Sequence, residues 1–359
     1  MSRATRLASG CCTVIALLVL AVGSVMAHEE YVVDDEHDVG AAEFLTDAVV
    51  DPFVVGPLLA GAIVSLAVVV GYLVFRPFPK DFAAFRFAMR EYTDYVPWLL
   101  RISFGIPLIG AGFGGYFISP AVDVQLRILQ IALGFLLLFG FATRLVALVT
   151  LVVYLVGVVF EPQLLLQLEF VGGLLAIALV GSGRPSADHV FSRVAGTPGT
   201  LYGRIDVVYG RARAFKSWIE PYEQFLPTVT RIGLGVTFVY LGVSQKLLRP
   251  GIALSVVDNY DLTAVVPVSP ELWVMGAGLT EAALGLALIA GVFTRAGAAT
   301  AITMFTLTLF ALPDDPVLAH VALFGMASVL LITGGGPYSV DNRMTVVEDE
   351  VESATPSPA

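Results

Sequence analysis

Residues 97–105 read PWLLRISFG, and 130 positions later residues 227–235 read PTVTRIGLG. Proline, arginine, isoleucine and glycine occupy the same places in both stretches. Further along, residues 140–144 (GFATR) return as residues 291–295 (GVFTR), with a shift of 151. Self-similarity of this length predicts a duplicated structural unit. Because the shift has grown, the second copy is expected to carry an insertion in a loop.

A third pair of stretches extends the repeat to the end of each unit. Residues 181–188 (GSGRPSAD) return as residues 334–341 (GGGPYSVD) with a shift of 153. The growth from 151 to 153 predicts a second, short insertion in another loop. The two units are therefore predicted to occupy residues 81–193 and 211–343, joined by a cytoplasmic linker at 194–210.

The composition is that of an integral membrane protein. Hydrophobic residues make up 57% of the chain and charged residues 14%, with a mean hydropathy of +0.84. A soluble domain of this length is rarely so apolar. The net charge of −10 and the scarcity of lysine are typical of a protein from a high-salt cytoplasm, so a halophilic source is predicted. A nucleic-acid partner is not expected, since the basic charge is modest.

The N-terminus has the pattern of a secretory signal. Arg3 and Arg6 precede an apolar run, so a signal peptide is predicted over residues 1–27. Cys11 and Cys12 are the only cysteines and lie inside it. A cleaved chain would contain no thiol, which excludes thiolate zinc sites and cysteine-ligated iron–sulfur clusters. The alternative is an uncleaved first helix that keeps both cysteines. No metal site is predicted.

The remaining chain is divided into an acidic segment and nine membrane spans. The acidic extracytoplasmic segment covers residues 28–52, and the apolar stretch 53–75 is long enough to cross a bilayer of ~30 Å. Eight further spans are predicted at about 96–118, 127–142, 145–160, 166–182, 226–248, 272–293, 296–312 and 317–334. The predicted fold is therefore all-α, with two parallel four-helix transmembrane bundles and one extra N-terminal transmembrane helix after the signal peptide.

Basic residues indicate the orientation of the chain in the cell membrane. Most arginines and lysines near the spans fall on one side, which is the cytoplasmic side by the positive-inside rule. The N-terminus of the mature chain is then extracytoplasmic, and the acidic tail at 344–359 is cytoplasmic. Aromatic and basic stretches at 82–95 and 215–225 precede the two bundles, and we expect them to form interfacial helices against lipid headgroups.

Three ionisable residues within the predicted spans of the second unit are the candidate catalytic site. A charged side chain at the bilayer centre costs roughly 2.5–3.5 kcal/mol, so Lys246, Glu281 and His320 are functional candidates. All three belong to the outer half of the membrane, where the lysine can reach the carboxylate. Their counterparts in the first unit are neutral: Tyr116, Gln130 and Gln167. The first unit keeps one carboxyl, Glu169, without a matched partner.

Each of these features also has a structural explanation. The pair of Lys246 and Glu281 can serve stability alone, because removing either partner leaves an uncompensated charge. His320 lies so near the interface that it can simply be solvated. The glycines at 334 and 336, followed by Ser339 and Asp341, are typical of a helix stop with a turn rather than of a phosphate loop.

In these residues the second unit resembles the DoxX/DoxD family of four-span membrane proteins. The resemblance lies in residues 231–246, which include Arg231 and Lys246, in Glu281, and in the stretches 291–295 and 334–341. The first unit retains the arginine and both glycine motifs but lacks the lysine and the glutamate. It therefore resembles a diverged copy.

The resemblance implies a function, because the family includes the membrane subunit of thiosulfate:quinone oxidoreductase. A subunit of a quinone-linked membrane oxidoreductase is accordingly predicted, with a protein partner, the lipid bilayer and a quinone as its partners. Lys246 and His320 would attract an anionic substrate or bind a quinone oxygen, and Glu281 would relay a proton. The alternative is a non-enzymatic membrane scaffold or assembly factor for a redox complex.

Overall fold

The computed structural model describes residues 37–75, 77–201, 203 and 209–343. The signal peptide predicted over residues 1–27 and the acidic tail at 344–359 lie outside the described residues. The described chain is largely helical, as the sequence predicts for an integral membrane protein.

The elements follow one another with short connections. The helices are α1 Ala41–Val50, α2 Pro52–Phe75, α3 Pro79–Arg90, α4 Val96–Gly114, α5 Arg127–Phe139, α6 Thr143–Phe160, α7 Glu169–Val180, α8 Ala187–Gly196, α9 Tyr209–Ile219, α10 Leu226–Tyr240, α11 Pro250–Asn259, α12 Leu262–Val265, α13 Pro270–Ala290, α14 Thr294–Ala311 and α15 Val317–Thr333. Between α4 and α5 the chain forms a short antiparallel hairpin of β1 Tyr116–Phe117 and β2 Ser119–Asp123, which the all-α prediction missed.

Five helical stretches of the described chain are long and apolar enough to cross a membrane. They are Pro52–Phe75, Thr93–Gly114, Thr143–Phe160, Tyr209–Leu247 and Pro270–Ala290. Three shorter apolar helices also coincide with predicted spans: Arg127–Phe139, Glu169–Val180 and Val317–Thr333. The chain is therefore a multi-pass membrane protein, and the count of nine spans stays a prediction.

We call the two predicted units, 81–193 and 211–343, the first and second half. The first long helix of each half packs against the last long helix of the other. Within the halves, α4 packs against α5 and α10 packs against α13. Between the halves, α4 packs against α15 and α10 packs against α7. These four helices form the centre of the molecule, and their inner faces belong to one continuous apolar core. A contact made by the first helix of one half with the last helix of the other therefore occurs twice.

Small residues make both inter-half contacts possible. A Cβ atom on Gly172 of α7 would lie 2.6 Å from the Cα atom of Gly233 of α10. On the other side, a Cβ atom on Gly325 of α15 would collide with the side chain of Ser103 of α4. Without hydrophobic driving force between helices in lipid, such close packing supplies the association energy. The crossings inside the halves use the same device, with Gly105 against Gly134 and Gly235 against Gly285.

Arg101 is buried in α4 and caps the end of a neighbouring helix. It is 1% exposed, and its Nη1 atom donates to the carbonyl of Leu138 in the last turn of α5 at 3.4 Å. Its Nη2 atom donates to the carbonyl of Pro185 at 2.5 Å. The last carbonyls of a helix lack intrahelical partners, and lipid offers none. The guanidinium therefore stabilises the end of α5 from inside the bundle.

Arg231 does the same in the second half. Its Nη1 atom donates to the carbonyls of Leu288, at 3.2 Å, and Ile289, both in the last turn of α13. Its Nη2 atom donates to the carbonyl of Tyr338 at 2.7 Å. Arg231 thus makes contacts equivalent to those of Arg101. Its carbonyl partners Ile289 and Tyr338 correspond to Leu138 and Pro185 by the shifts of 151 and 153.

A second arginine pair caps the last transmembrane helix of each half. Arg144 donates from Nε and Nη2 to the carbonyls of Ala178 and Leu179 at 3.1 and 2.9 Å. Arg295 donates in the same way to the carbonyls of Leu331 and Ile332 at 2.9 and 3.0 Å. Arg144 also forms an ion pair with Glu223 of the second half at 2.9 Å. Arg144 and Arg295, which lie in the tight turns between helices, therefore stabilise the ends of α7 and α15.

The glycine motif at the end of each half is a helix stop, as the sequence predicts. The carboxylate of Asp341 accepts from the backbone amides of Phe293 and Thr294 at 2.6 and 2.7 Å. In the first half, Asp188 accepts from the amides of Ala142 and Thr143 at 2.6 and 2.9 Å. Each aspartate thereby orders the turn that begins the third long helix of its half.

The insertion of the second half is helical, which corrects the prediction of a loop. The helices α11 and α12 lie between Lys246 and Glu281 in the sequence, and they pack with α1, the start of α2 and α13 in a separate apolar cluster. An ion pair of 3.2 Å between His37 and Asp258 joins the N-terminal segment to α11. The N-terminal segment therefore covers the second half at the end of the bundle that carries the candidate site.

Substitution of Gly233 tests the contact between the halves. We expect Gly233→Ala to lower the unfolding free energy by about 1–3 kcal/mol, because the added methyl group forces α10 away from α7. The measurement is the melting temperature of the purified protein in detergent. Gly276→Ala in α13 is the matched control, since a Cβ atom there has no neighbour within 4 Å. Equal melting temperatures for both variants would contradict the role given to Gly233.

Substitution of Arg231 tests the capping of α13. Lysine keeps the positive charge but lacks the planar fork of five donors, so Arg231→Lys leaves buried carbonyls without a partner. We expect a loss of about 1–3 kcal/mol in unfolding free energy, measured by denaturation in detergent. The exposed Arg213→Lys is the control. If the two variants unfold alike, the charge of Arg231 matters and its geometry does not.

Candidate functional site

The first predicted site residue lies on an irregular part of the central helix. After Tyr240, α10 continues as a π-helical segment, Leu241–Leu247, that carries Lys246. Such segments are rare and occur frequently at functional sites. Gly242 lets this segment approach α13 closely, because a Cβ atom there would lie 2.5 Å from the carbonyl oxygen of Gly278 and 3.0 Å from the Cβ atom of Glu281. The close approach brings Lys246 within reach of Glu281.

Lys246 and Glu281 form the ion pair that the sequence predicts. The Nζ atom of Lys246 lies 2.9 Å from the Oε2 atom of Glu281. The two side chains are 20% and 16% exposed, so the ion pair is partly buried and still accessible from outside the bundle. A partly buried pair of this kind can hold or release a proton when a ligand replaces one partner.

The third predicted residue, His320, is buried rather than solvated. Its Nε2 atom lies 3.5 Å from the Oδ2 atom of Asp315, and the two side chains are 8% and 6% exposed. The ring of Phe305 packs edge-on against the imidazole, with 6.0 Å between the ring centres. The alternative of a solvated histidine is therefore wrong, because neighbouring side chains have displaced the water.

Asp315 connects the two pairs electrostatically. Burial raises the pKa of this carboxyl group, which lies in the loop between α14 and α15, while the positive charges of His320 and Lys246 act in the opposite direction. Asp315 is thus near enough to both cations to be influenced by them. We call Lys246, Glu281, Asp315 and His320 together the charged cluster.

Sequence reasoning missed Asp315. A weak signal was present, since Asp314 and Asp315 directly precede Pro316 at the start of the last predicted span, five residues before His320. Acidic residues beside proline are ordinary in turns, so nothing in the pattern distinguishes a buried carboxyl from a solvated one. The structure separates them: the side chain of Asp315 turns inward to His320, while Asp314 accepts a hydrogen bond from Tyr260 at 2.9 Å.

Buried acceptors without partners border the charged cluster. The amide of Gln245 donates to the hydroxyl of Ser244 at 2.8 Å, but its Oε1 atom has no hydrogen-bond partner. The Oδ1 atom of Asp315 is buried and unpartnered as well. Buried polar atoms are nearly always hydrogen-bonded, so these two oxygens are available to accept hydrogen bonds from a ligand or from ordered water.

The corresponding positions of the first half are close together but uncharged. The amide of Gln130 donates to the carbonyls of Leu108 and Tyr116 at 3.1 and 3.2 Å. Gln130 and Tyr116 thus meet where Glu281 and Lys246 meet in the second half. Only the second half has an ion pair at these positions.

The described part of the chain contains no set of side chains that is placed to bind a metal ion. Within residues 37–75, 77–201, 203 and 209–343, no group of three or more histidine, cysteine, aspartate or glutamate side chains is placed to hold a metal ion. The charged cluster instead combines two cationic and two carboxyl side chains. Such a set suits proton transfer and the binding of a polar or anionic molecule.

A comparison with models of known protein families gives a match to the segment that contains the charged cluster. The family model DoxX matches residues 226–320, which begin with α10 and end at His320. All four residues of the charged cluster and Arg231 lie within this range. No curated protein and no solved structure matches the chain significantly. Residues 226–320 are therefore similar to the DoxX family, and the chain that contains them is a multi-pass membrane protein.

Proposed function

We propose that this protein is the membrane subunit of a quinone-linked oxidoreductase and that the charged cluster is its polar reaction site. One observation carries the proposal: four ionisable side chains converge inside the segment similar to the DoxX family, where each of them costs folding energy. Buried ion pairs contribute little to the stability of a fold, so stability is a poor explanation for two such pairs in an apolar bundle. Proposed partners are the lipid bilayer, a quinone and a second protein subunit.

The chemistry needs both protons and electrons. A quinone becomes a hydroquinone by taking up two electrons and two protons. In the proposed mechanism Glu281 relays protons, while Lys246 and His320 hold an anionic substrate or a quinone oxygen. With thiosulfate as the reductant, two thiosulfate ions join through a new sulfur–sulfur bond to form tetrathionate, and the two electrons released reduce the quinone.

A partner subunit is proposed to transfer the electrons from the reductant to the quinone. The sequence after residue 27 contains no cysteine, so the mature chain would lack thiolate ligands for an iron–sulfur cluster. The partner would dock near the charged cluster on the extracytoplasmic side, where the topology proposed from the basic residues places it. That topology has the mature N-terminus outside and the C-terminus in the cytoplasm.

A tandem duplication accounts best for the two halves. Arg101 and Arg231 cap equivalent helices, as do Arg144 and Arg295, and equivalent glycines stand at the helix crossing inside each half. Four-helix units that enter the membrane from the same side would be related by an axis along the membrane normal. In this proposal the first half is a diverged copy that supports the reactive second half.

A scaffold or assembly factor is the second candidate. It is favoured by α2, whose side chains are mostly exposed along the whole helix, with only Val54 buried. A redox complex could dock against this helix. In that case Lys246 and Glu281 would form a structural pair, as Arg144 and Glu223 do.

Replacement of Glu281 separates the two candidates. We expect Glu281→Gln to reduce thiosulfate-dependent quinone reduction in isolated membranes by about 100-fold or more, because the variant cannot relay a proton. Protein abundance in the membrane is measured in parallel. Glu271→Gln is the matched control, since Glu271 lies in the same helix but is exposed.

The double variant addresses the case in which Glu281→Gln fails to accumulate. Lys246 would then be an uncompensated charge, and Lys246→Met combined with Glu281→Gln should restore accumulation. Restored protein without activity supports a reaction site. Restored protein with full activity, or a single variant that keeps its activity, refutes the role of the charged cluster and favours the scaffold.

A further inference from the structure

A second group of buried polar residues lies between the halves. It consists of Tyr154 on α6, Gln167, Glu169 at the start of α7, and Tyr240 at the end of α10; we call it the inter-half cluster. The turn Pro162–Gln167 and the residues after it pack against α10, and Tyr240 lies among Leu165, Leu166 and Leu168. The inter-half cluster is thus built from both halves, at the same end of the bundle as the charged cluster.

Gln167 and one carboxyl oxygen of Glu169 are buried without the hydrogen-bond partners that such groups require. Glu169 is 1% exposed, and its Oε2 atom accepts no hydrogen bond. Among the described residues, no basic side chain forms an ion pair with it. Gln167 is 2% exposed, and neither its Nε2 nor its Oε1 atom is hydrogen-bonded. An ionised carboxylate would be very costly here, so Glu169 carries a proton and can donate it.

The two tyrosines complete the inter-half cluster. The Tyr154 hydroxyl donates to the carbonyl of Leu164 at 2.8 Å and lies within electrostatic range of Glu169 and Tyr240. Tyr240 is 6% exposed, and its hydroxyl, although near Ser244, makes no hydrogen bond. Four polar atoms of these residues therefore lack hydrogen-bond partners: two of Gln167, one of Glu169 and one of Tyr240. Tyr154 relates Glu169 to Tyr240, and Gln167 belongs to the group through its position two residues before Glu169 in the chain.

The surroundings of the inter-half cluster are apolar and close to the lipid-facing surface. Val158, Val236 and Leu241 pack against Tyr240 and its leucine neighbours and are partly exposed. The Tyr240 side of the inter-half cluster is therefore bordered by apolar side chains that reach the outside of the bundle. A ligand that enters on this side must be soluble in lipid, and a charged molecule would lose its hydration without gaining a counter-ion.

We propose that the inter-half cluster binds the oxygen-bearing head group of an uncharged, lipid-soluble molecule, and that a quinone is the matching chemical class. The protonated Glu169, the amide of Gln167 and the Tyr240 hydroxyl can donate to carbonyl oxygens, and the Gln167 oxygen and Tyr240 can accept from hydroxyl groups. Both the oxidised and the reduced head group can therefore be held. The inference rests on the proposed function only in the choice of quinone, because it concerns binding and not turnover.

Decylubiquinone binding to the purified full-length protein in lipid nanodiscs tests the inter-half cluster. We expect Glu169→Leu to raise the dissociation constant about tenfold, as the loss of one well-made hydrogen bond does, and to abolish most of the thermal stabilisation by the ligand. Without ligand the melting temperature should not fall, since leucine removes a buried polar atom that had no partner. Glu161→Leu, at the exposed end of α6, is the control.

Three results would overturn the inference. The first is an unchanged dissociation constant for Glu169→Leu, and the second is wild-type protein that does not bind decylubiquinone, in which case the polar atoms hold water. The third is weakened binding in Glu281→Gln but not in Glu169→Leu, which would place the quinone at the charged cluster. Retained binding together with absent quinone reduction would contradict the proposed function and leave the inter-half cluster intact.

Discussion

The fold depends on the capping of helix ends by arginine side chains inside the bundle. Lipid cannot hydrogen-bond to the last carbonyl groups of a helix, so each exposed end would cost several kcal/mol. Arg101 and Arg231 supply donors to the ends of α5 and α13, while Arg144 and Arg295 supply them to α7 and α15. With these ends fixed, the helices can be short and the turns between them tight. Buried arginines in this protein therefore stabilise the fold, and a buried charge alone does not indicate a reaction site.

Close helix crossings set the positions of everything else. The glycine contacts between α7 and α10 hold the halves together at the centre, and Gly242 brings α10 against α13 further along. As a result α10 takes part in both polar clusters: it presents Tyr240 to the first half and Lys246 to Glu281. The five residues between these two positions make up most of the π-helical segment. One irregular helix end thus links a charged cluster with an uncharged one.

The outcome for the candidate site shows which inferences a sequence can support. Lys246 and Glu281 were predictable as partners because an ionisable group in an apolar span needs one, and the repeat shifts located both. Asp315 was not, because the residues Asp314, Asp315 and Pro316 resemble any solvated turn. The burial of His320 was also unpredictable, since it depends on Phe305 and Asp315 packing around the imidazole. The position of a residue along a membrane-spanning helix indicates its depth in the bilayer. It does not indicate which side chains surround that residue.

The sequence by itself determined the membrane character, the helical class, the repeated pattern of arginines and glycines, and the family resemblance of the second half. Each of these follows from composition or from spacing along one chain. Only the tertiary structure decided that α4 packs against α15 and α10 against α7, and that the insertion after Lys246 is helical. It alone also decided that Gln167 and one carboxyl oxygen of Glu169 are buried without hydrogen-bond partners. The physical reason is that contacts between helices depend on the shapes of surfaces that are distant in the sequence, whereas hydropathy and end-capping are local.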